Sequence, residues 1–154
     1  MIDSNLTVNK SLKISKEEIL KDYYLINESR NLSLIGRKEV FMGRAKFGVF
    51  GDGKELPQIA MSKFFKNGDF RSGYYRDQTF MMAIDQLNAS QFFAQLYAHA
   101  DINFDPHSGG RQMNCHFGTR MLNDNGDWKT QTDMKNSASD ISCVSGQMPR
   151  IVGL

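Results

Sequence analysis

The side chains of this sequence best suited to chemistry fall into separated clusters. Tyr74-Tyr75-Arg76-Asp77 stands between a polar stretch and an apolar helical pattern of Phe80, Met81, Met82, Ala83, Ile84 and Leu87. That spacing places Tyr75 and Arg76 at a helix N-terminus, where unpaired backbone N–H groups and the helix dipole favour an anion. Arginine adds a planar fork that matches phosphate oxygens, each charge-assisted bond contributing roughly 1.5–3 kcal/mol. The plainer alternative has Asp77 capping the helix while Arg76 makes a surface ion pair. His107, Cys115, His116 and Cys143 invite a metal reading, but no Cys-x-x-Cys is present and Cys115 and His116 are adjacent. Those spacings fit no zinc pattern, and adjacent residues seldom face one another as nucleophile and base. Neither a Walker loop nor a Gly-x-Gly-x-x-Gly run occurs.

The elements that must hold these residues read as mostly helical over 15–100, after a polar lead-in over 1–14. Ser15-Lys16-Glu17-Glu18 has the form of a capping box, with Glu18 reaching back to Ser15. Ile19, Tyr23 and Ile26 follow at helical spacing, Tyr23 and Tyr24 read as packing aromatics, and Gly36 is placed to end the helix. Residues 41–50 read as loop with a short strand. Pro57 opens a second helix, with Ile59, Ala60, Met61, Phe64 and Phe65 on its buried side and Gly68 as its stop. The helix entered at Arg76 is expected to reach about Gln86. Asn88 then caps another that carries Phe92, Phe93, Leu96 and Tyr97.

From Asp101 to about Asp140 glycine, asparagine, aspartate and serine dominate. This is a long glycine/asparagine-rich loop, functional or disordered, with Met113, His116, Phe117, Met121 and Trp128 as anchors. The last residues, Met148 to Leu154, begin a helix that has no closing signal, which reads as the front portion of a longer chain.

Composition narrows the function classes. The 154 residues suffice for one domain, and 19 basic against 17 acidic residues leave no large positive field for a nucleic acid. No apolar run is long enough to span a membrane. Met1-Ile2-Asp3-Ser4-Asn5 lacks the regions of a secretion signal, and two cysteines make no disulfide framework. A cytoplasmic protein is expected.

The order of separated segments says more. Tyr74-Tyr75-Arg76-Asp77, then Gly109-Gly110-Arg111-Gln112-Met113-Asn114-Cys115-His116-Phe117-Gly118, then Ser142-Cys143-Val144-Ser145-Gly146-Gln147-Met148-Pro149-Arg150-Ile151-Val152-Gly153 lie in that sequence. Together they resemble the alpha subunit, or N-terminal half, of the thiamine diphosphate-dependent E1 component of 2-oxo acid dehydrogenase complexes. The branched-chain type is the most similar, and the resemblance covers roughly residues 17–154. A Gly-x-Glu-Ala-like element of that family falls at Gly53-Lys54-Glu55-Leu56.

The resemblance implies an α/β fold, here the N-terminal, incomplete portion of a thiamine diphosphate-binding domain over 15–154. It implies an oxidoreductase that decarboxylates a branched-chain 2-oxo acid and passes the acyl group to a lipoylated E2 core. By the same token Tyr74, Tyr75 and Arg76 bind the diphosphate, Ser142 offers backbone contacts near the aminopyrimidine, and Val144 props the bent cofactor. His116 becomes the candidate catalytic residue on the substrate side. The partners implied are a beta-type half or subunit, fused or separate, in a dimer of alpha-beta units. Mg2+ accompanies the cofactor with its ligands outside this chain, so the chain alone is expected to be inactive. Gly51-Asp52-Gly53 resembles the opening of a magnesium-diphosphate motif, but the later window Gln78-Thr79-Phe80 has no asparagine, and a surface turn is the better reading. The sequence departs from the family pattern where Asp77 replaces Glu, Asn114 replaces Pro, and Ile141 and Gly146 replace Ser and Thr of a monovalent-cation site.

Two other classes fit the residues taken alone. One is a non-catalytic binding module for a phosphorylated small molecule, built on Arg76 and the 105–118 loop. The other is a helical interaction domain with a mobile glycine loop.

Overall fold

The computed structural model describes residues 14–154, so nearly all of the expected lead-in over 1–14 lies outside the described residues. The elements run α1 (Lys16–Phe41), α2 (Glu55–Ser62), β1 (Phe70–Ser72), α3 (Gln78–Ala83), α4 (Ala89–Leu96), a 3₁₀ turn (Gln131–Asp133), β2 (Asn136–Ala138) and α5 (Gln147–Gly153). The architecture is mixed: helices with one small parallel sheet, in which Phe70 pairs with Asn136 and Ser72 with Ala138.

Helix α1 starts where its chemistry says it should. Ser15 Oγ accepts the Glu18 N–H at 3.1 Å, satisfying one of the free donors of the first turn. Glu18 does not complete a box; its carboxylate turns to Lys63, which also holds Asp22 at 2.7 Å. The expected face of Ile19 and Tyr23 is not the buried one, since these side chains are 54% and 66% exposed. The buried face is Ser29, Leu32, Ser33, Gly36 and Glu39.

Gly36 does not end α1. A Cβ there would lie 2.5 Å from a ring carbon of Phe50, so the glycine admits an aromatic ring against the helix. The helix runs on to Phe41, and Gly43, at φ +73°, takes the left-handed conformation after its end. The small polar residues on the buried face meet α3. Ser29 Oγ lies 2.7 Å from Thr79 Oγ1, and Gln78 Nε2 donates to the Ser29 carbonyl at 2.8 Å.

Helix α2 begins at Glu55, which places Pro57 within the first turn rather than at its first residue. It ends at Ser62, short of Gly68, so Phe64 lies beyond it and is exposed, as are Ala60 and Met61 within it. Ile59 is buried as expected and Phe65 packs edge-on against Phe80 at 5.2 Å. Helix α4 carries a reciprocal box between Asn88 and Gln91. Phe92 and Leu96 enter the core with Leu32, Phe80, Met81, Met82, Ile84, Leu87, Cys115 and Phe117. Tyr97, at the end of α4, donates its hydroxyl to Glu39 at 2.6 Å.

Beyond α4 the chain turns on a buried carboxylate. Asp105 accepts the N–H groups of His107, Ser108 and Gly110 and the Ser108 hydroxyl, which in turn accepts the Gln112 N–H. Of the expected anchors, His116 and Phe117 are buried, whereas Met113 and Trp128 are exposed. Trp128 pairs only its backbone, with Leu122.

Candidate functional site

Tyr74, Tyr75 and Arg76 occupy a turn closed by the Asp77 N–H on the Tyr74 carbonyl at 3.0 Å. Helix α3 begins two residues after Arg76 and is six residues long, so the expected helix-terminus anion site is replaced by this turn. Asp77 does not cap the helix with its side chain. Its carboxylate folds back onto the Tyr74 N–H at 2.9 Å and onto Arg71. From α2, Gln58 joins the turn to the first turn of α3, donating to the Arg76 carbonyl at 2.8 Å and accepting the Phe80 N–H at 2.9 Å. Gly51 packs against the same carbonyl; a Cβ there would stand 2.6 Å from it. So the Gly51-Asp52-Gly53 turn supports Arg76 from behind, while Asp52 pairs with Arg37 at 2.7 Å.

The Tyr74 and Tyr75 hydroxyls hydrogen-bond to each other, which holds Tyr74 above the ordinary tyrosine range. The Tyr75 ring lies stacked on His116, with centroids 5.9 Å apart and planes 19° from parallel. His116 is buried. Its Nδ1 lies 3.1 Å from the Asn114 carbonyl and its Nε2 2.8 Å from Ser142 Oγ. A carbonyl can only accept, so Nδ1 carries the proton; in the neutral ring, Nε2 then accepts the Ser142 hydroxyl. Gln95 fixes the same segment by donating to the His116 carbonyl at 2.6 Å.

Tyr75, His116 and Ser142, far apart in sequence, therefore form one chain of contacts. Arg76, the next residue after Tyr75, is exposed and without a carboxylate partner among the described residues. The surface ion pair considered for it does not form. Val144 is exposed in the turn after Ser142, and Ser72 Oγ ties the start of α5, beyond that turn, to β1 by donating to the Gln147 carbonyl at 3.0 Å. Arg111 donates to the Ser108 carbonyl at 2.9 Å, within its own loop. Beside the cluster a groove of about 500 Å³ is lined by Phe64, Phe65, Phe70 and Phe80, with Arg71 and Asp77 in its wall.

Asn114, which departs from the family pattern, has a specific task. Its side chain accepts the Val49 N–H at 2.9 Å and donates to the Val49 carbonyl at 2.6 Å, as a neighbouring strand would. Asn114→Ala strands both groups and is expected to cost about 1–3 kcal/mol, read as a lower urea midpoint.

Arg71 and Asp140 were not marked by sequence reasoning. Arg71 is buried from the middle of β1 and pairs with Asp77 at 2.8 Å and with Asp140 at 3.0 Å. Asp140 also accepts the Phe117 N–H at 3.1 Å, and burial pushes its carboxyl above the ordinary range despite Arg71. The one available signal was an arginine next to a phenylalanine in the short run Phe70-Arg71-Ser72, too short to show strand alternation. Cys115 is buried, and desolvation pushes its thiol up, away from the thiolate form a nucleophile needs.

A search of curated proteins finds no match to this chain. A family model described as "Dehydrogenase E1 component" matches residues 29–145. That stretch starts on the buried face of α1, takes in Tyr75, His116 and Ser142, and spans well over half of the 154 residues. The chain belongs to the dehydrogenase E1 component family.

Proposed function

We propose that this chain supplies the diphosphate-holding side of the cofactor site in a 2-oxo acid dehydrogenase E1 component. Members of the family generally depend on thiamine diphosphate. The observation that carries the reading is the Tyr75–His116–Ser142 contact chain ending beside Arg76, a guanidinium that no carboxylate of the described residues neutralises. Such a donor set fits the cofactor: the diphosphate provides the missing counter-charge, and exposed Val144 offers an apolar contact to its rings. Tyr74 and Tyr75 flank the arginine, and Ser142 contributes through its backbone. When bound, the coenzyme supplies the electron sink that lets a 2-oxo acid lose carbon dioxide.

The chain's own residues anchor and orient. Gln58 and Gly51 fix the backbone of Arg76, while Asn114 and Ser142 hold the His116 ring at both nitrogens. His116 faces the substrate side in this reading and lends a hydrogen bond there once Ser142 gives way. Magnesium, the branched-chain substrate, the lipoylated E2 acceptor and the beta-type half rest on the sequence resemblance. Magnesium, in this reading, takes its ligands from outside this chain. Free Cys115 and Cys143 accord with a reducing, cytoplasmic setting. Among the described residues no helix is long and apolar enough to cross a membrane.

Arg76→Ala is expected to weaken thiamine diphosphate binding about ten- to a hundredfold in the enzyme assembled with its partner half. A cofactor titration that gives the same dissociation constant for variant and wild type removes Arg76 from the site.

A further inference from the structure

One side chain joins all of the segments that bear the site. Arg71 uses each of its guanidinium nitrogens: Nε donates to Asp77 at 3.1 Å, Nη1 to Ser137 Oγ at 2.6 Å, and Nη2 to Asp77, Asp140 and the Tyr74 carbonyl at 2.8, 3.0 and 3.3 Å. Its guanidinium carbon lies 5.9 Å from the centroid of the Phe117 ring. The Asp77 and Tyr74 contacts fix the turn that presents Tyr75 and Arg76. The Asp140 contact fixes the residue that holds the Phe117 N–H, next to His116, and that stands two positions before Ser142.

Gln58 and backbone bonds also hold the turn and the Asp140 segment, but among the described residues only Arg71 joins the two through side chains. The second oxygen of Asp140 is buried without a hydrogen-bond partner among the described residues, so the carboxylate is positioned by Arg71 and the Phe117 N–H alone. A lysine would keep the charge but not the fork that reaches Ser137, Asp77 and Asp140 at once.

We propose that Arg71, acting through Asp77 and Asp140, is a positioning residue that sets Tyr75 and Arg76 in register with His116 and Ser142, and so sets the affinity for the cofactor's diphosphate. This rests on the cofactor reading above. Arg71 touches no reacting atom in it; loosening Arg71 lets the two sides of the site drift while every ligand side chain remains in place.

The test titrates thiamine diphosphate calorimetrically into the complete E1 assembly, wild type first. R71M/D140N removes both charges of the buried pair, so the carboxylate left without its arginine is the part-exposed Asp77, which keeps the Tyr74 N–H, and R71K keeps the charge without the fork. Both are expected to raise the dissociation constant about tenfold or more, with kcat at saturating cofactor changed much less. The apo melting temperature of R71M/D140N should stay near that of wild type, which separates register from stability. If R71K and R71M/D140N bind the cofactor as tightly as wild type, the positioning role is overturned and Arg71 is a stability element only. If the wild-type assembly takes up no thiamine diphosphate, the cofactor reading itself fails, and this inference falls with it.

Discussion

Arg71→Met should lower the stability of the chain by about 3–5 kcal/mol, the cost of leaving a buried carboxylate without its partner. At roughly 2–4 °C per kcal/mol for a chain of this size, the melting temperature falls by about 6–20 °C. Asp140 carries most of this effect, because it is buried and one of its oxygens has no partner, whereas Asp77 reaches solvent and keeps the Tyr74 N–H. Adding Asp140→Asn to Arg71→Met should therefore return most of the loss.

The same carboxyl gives a pH signature. Desolvation raises Asp140 above its ordinary value of 3.8, with Asp77 adding to the rise and Arg71 and the Phe117 N–H opposing it. A carboxyl raised in the folded state binds its proton more tightly there than in the unfolded chain. Its contribution is then complete below 3.8 and declines as pH climbs through the raised value. Glu55 runs the other way. Arg30 holds it below its ordinary value of 4.5, so its contribution is present above that value and is lost as pH falls. Subtracting the stability curve of Asp140→Asn from that of wild type isolates the first trend. The difference should move against wild type as pH rises across the acidic range, and a flat difference would show that the Asp140 proton is not linked to folding.

Asp105→Ala should cost at least about 3 kcal/mol, since a single carboxylate serves three backbone N–H groups and a hydroxyl inside the protein. Its removal frees the Gly109-Gly110 turn, where both glycines are left-handed and a Cβ on Gly110 would meet the Ala98 carbonyl oxygen at 2.6 Å. Asp105→Asn keeps an acceptor for His107 and Ser108 but presents an amide to Gly110, so about half the loss is expected. Urea midpoints order the variants. Hydrogen exchange adds location: the Gly110 amide should lose protection in both variants, while the Phe92 amide, inside α4, should lose it only as far as global stability falls.

What could be read in advance was chemistry between near neighbours. Ser15 and Asn88 cap their helices because the partner N–H is three residues away and the side chain alone decides the bond. The buried face of α1 was hidden, because Ser29, Ser33 and Gly36 bury by meeting Thr79, Gln78 and Phe50, whereas the apolar period of Ile19 and Tyr23 pointed elsewhere. Gly36 shows the limit well: its local preference says stop, and a ring arriving from Phe50 says otherwise. At the site, family pattern drew attention to Tyr75, His116 and Ser142, and the structure puts those three in contact. Arg71, Asp140 and Gln58 went unmarked because each is defined by a partner that only the folded chain brings near. The length of α3 was misjudged for a related reason: Ile84 and Leu87 continue the apolar pattern but enter the core from the chain beyond the helix.

The pairing of β1 with β2 also bears on the order in which the molecule assembles. Arg71 and Ser137, which meet across that pair, are 66 positions apart, so closing it carries a loop entropy that local helices do not face. The capped helices can condense first, bringing Leu32, Phe92 and Leu96 into one core; the two strands zip together only once that nucleus has drawn their ends near. On the function proposed above, cofactor uptake is then the last property acquired during refolding, and amide signals from α1 and α4 should reach their final values before thiamine diphosphate uptake does.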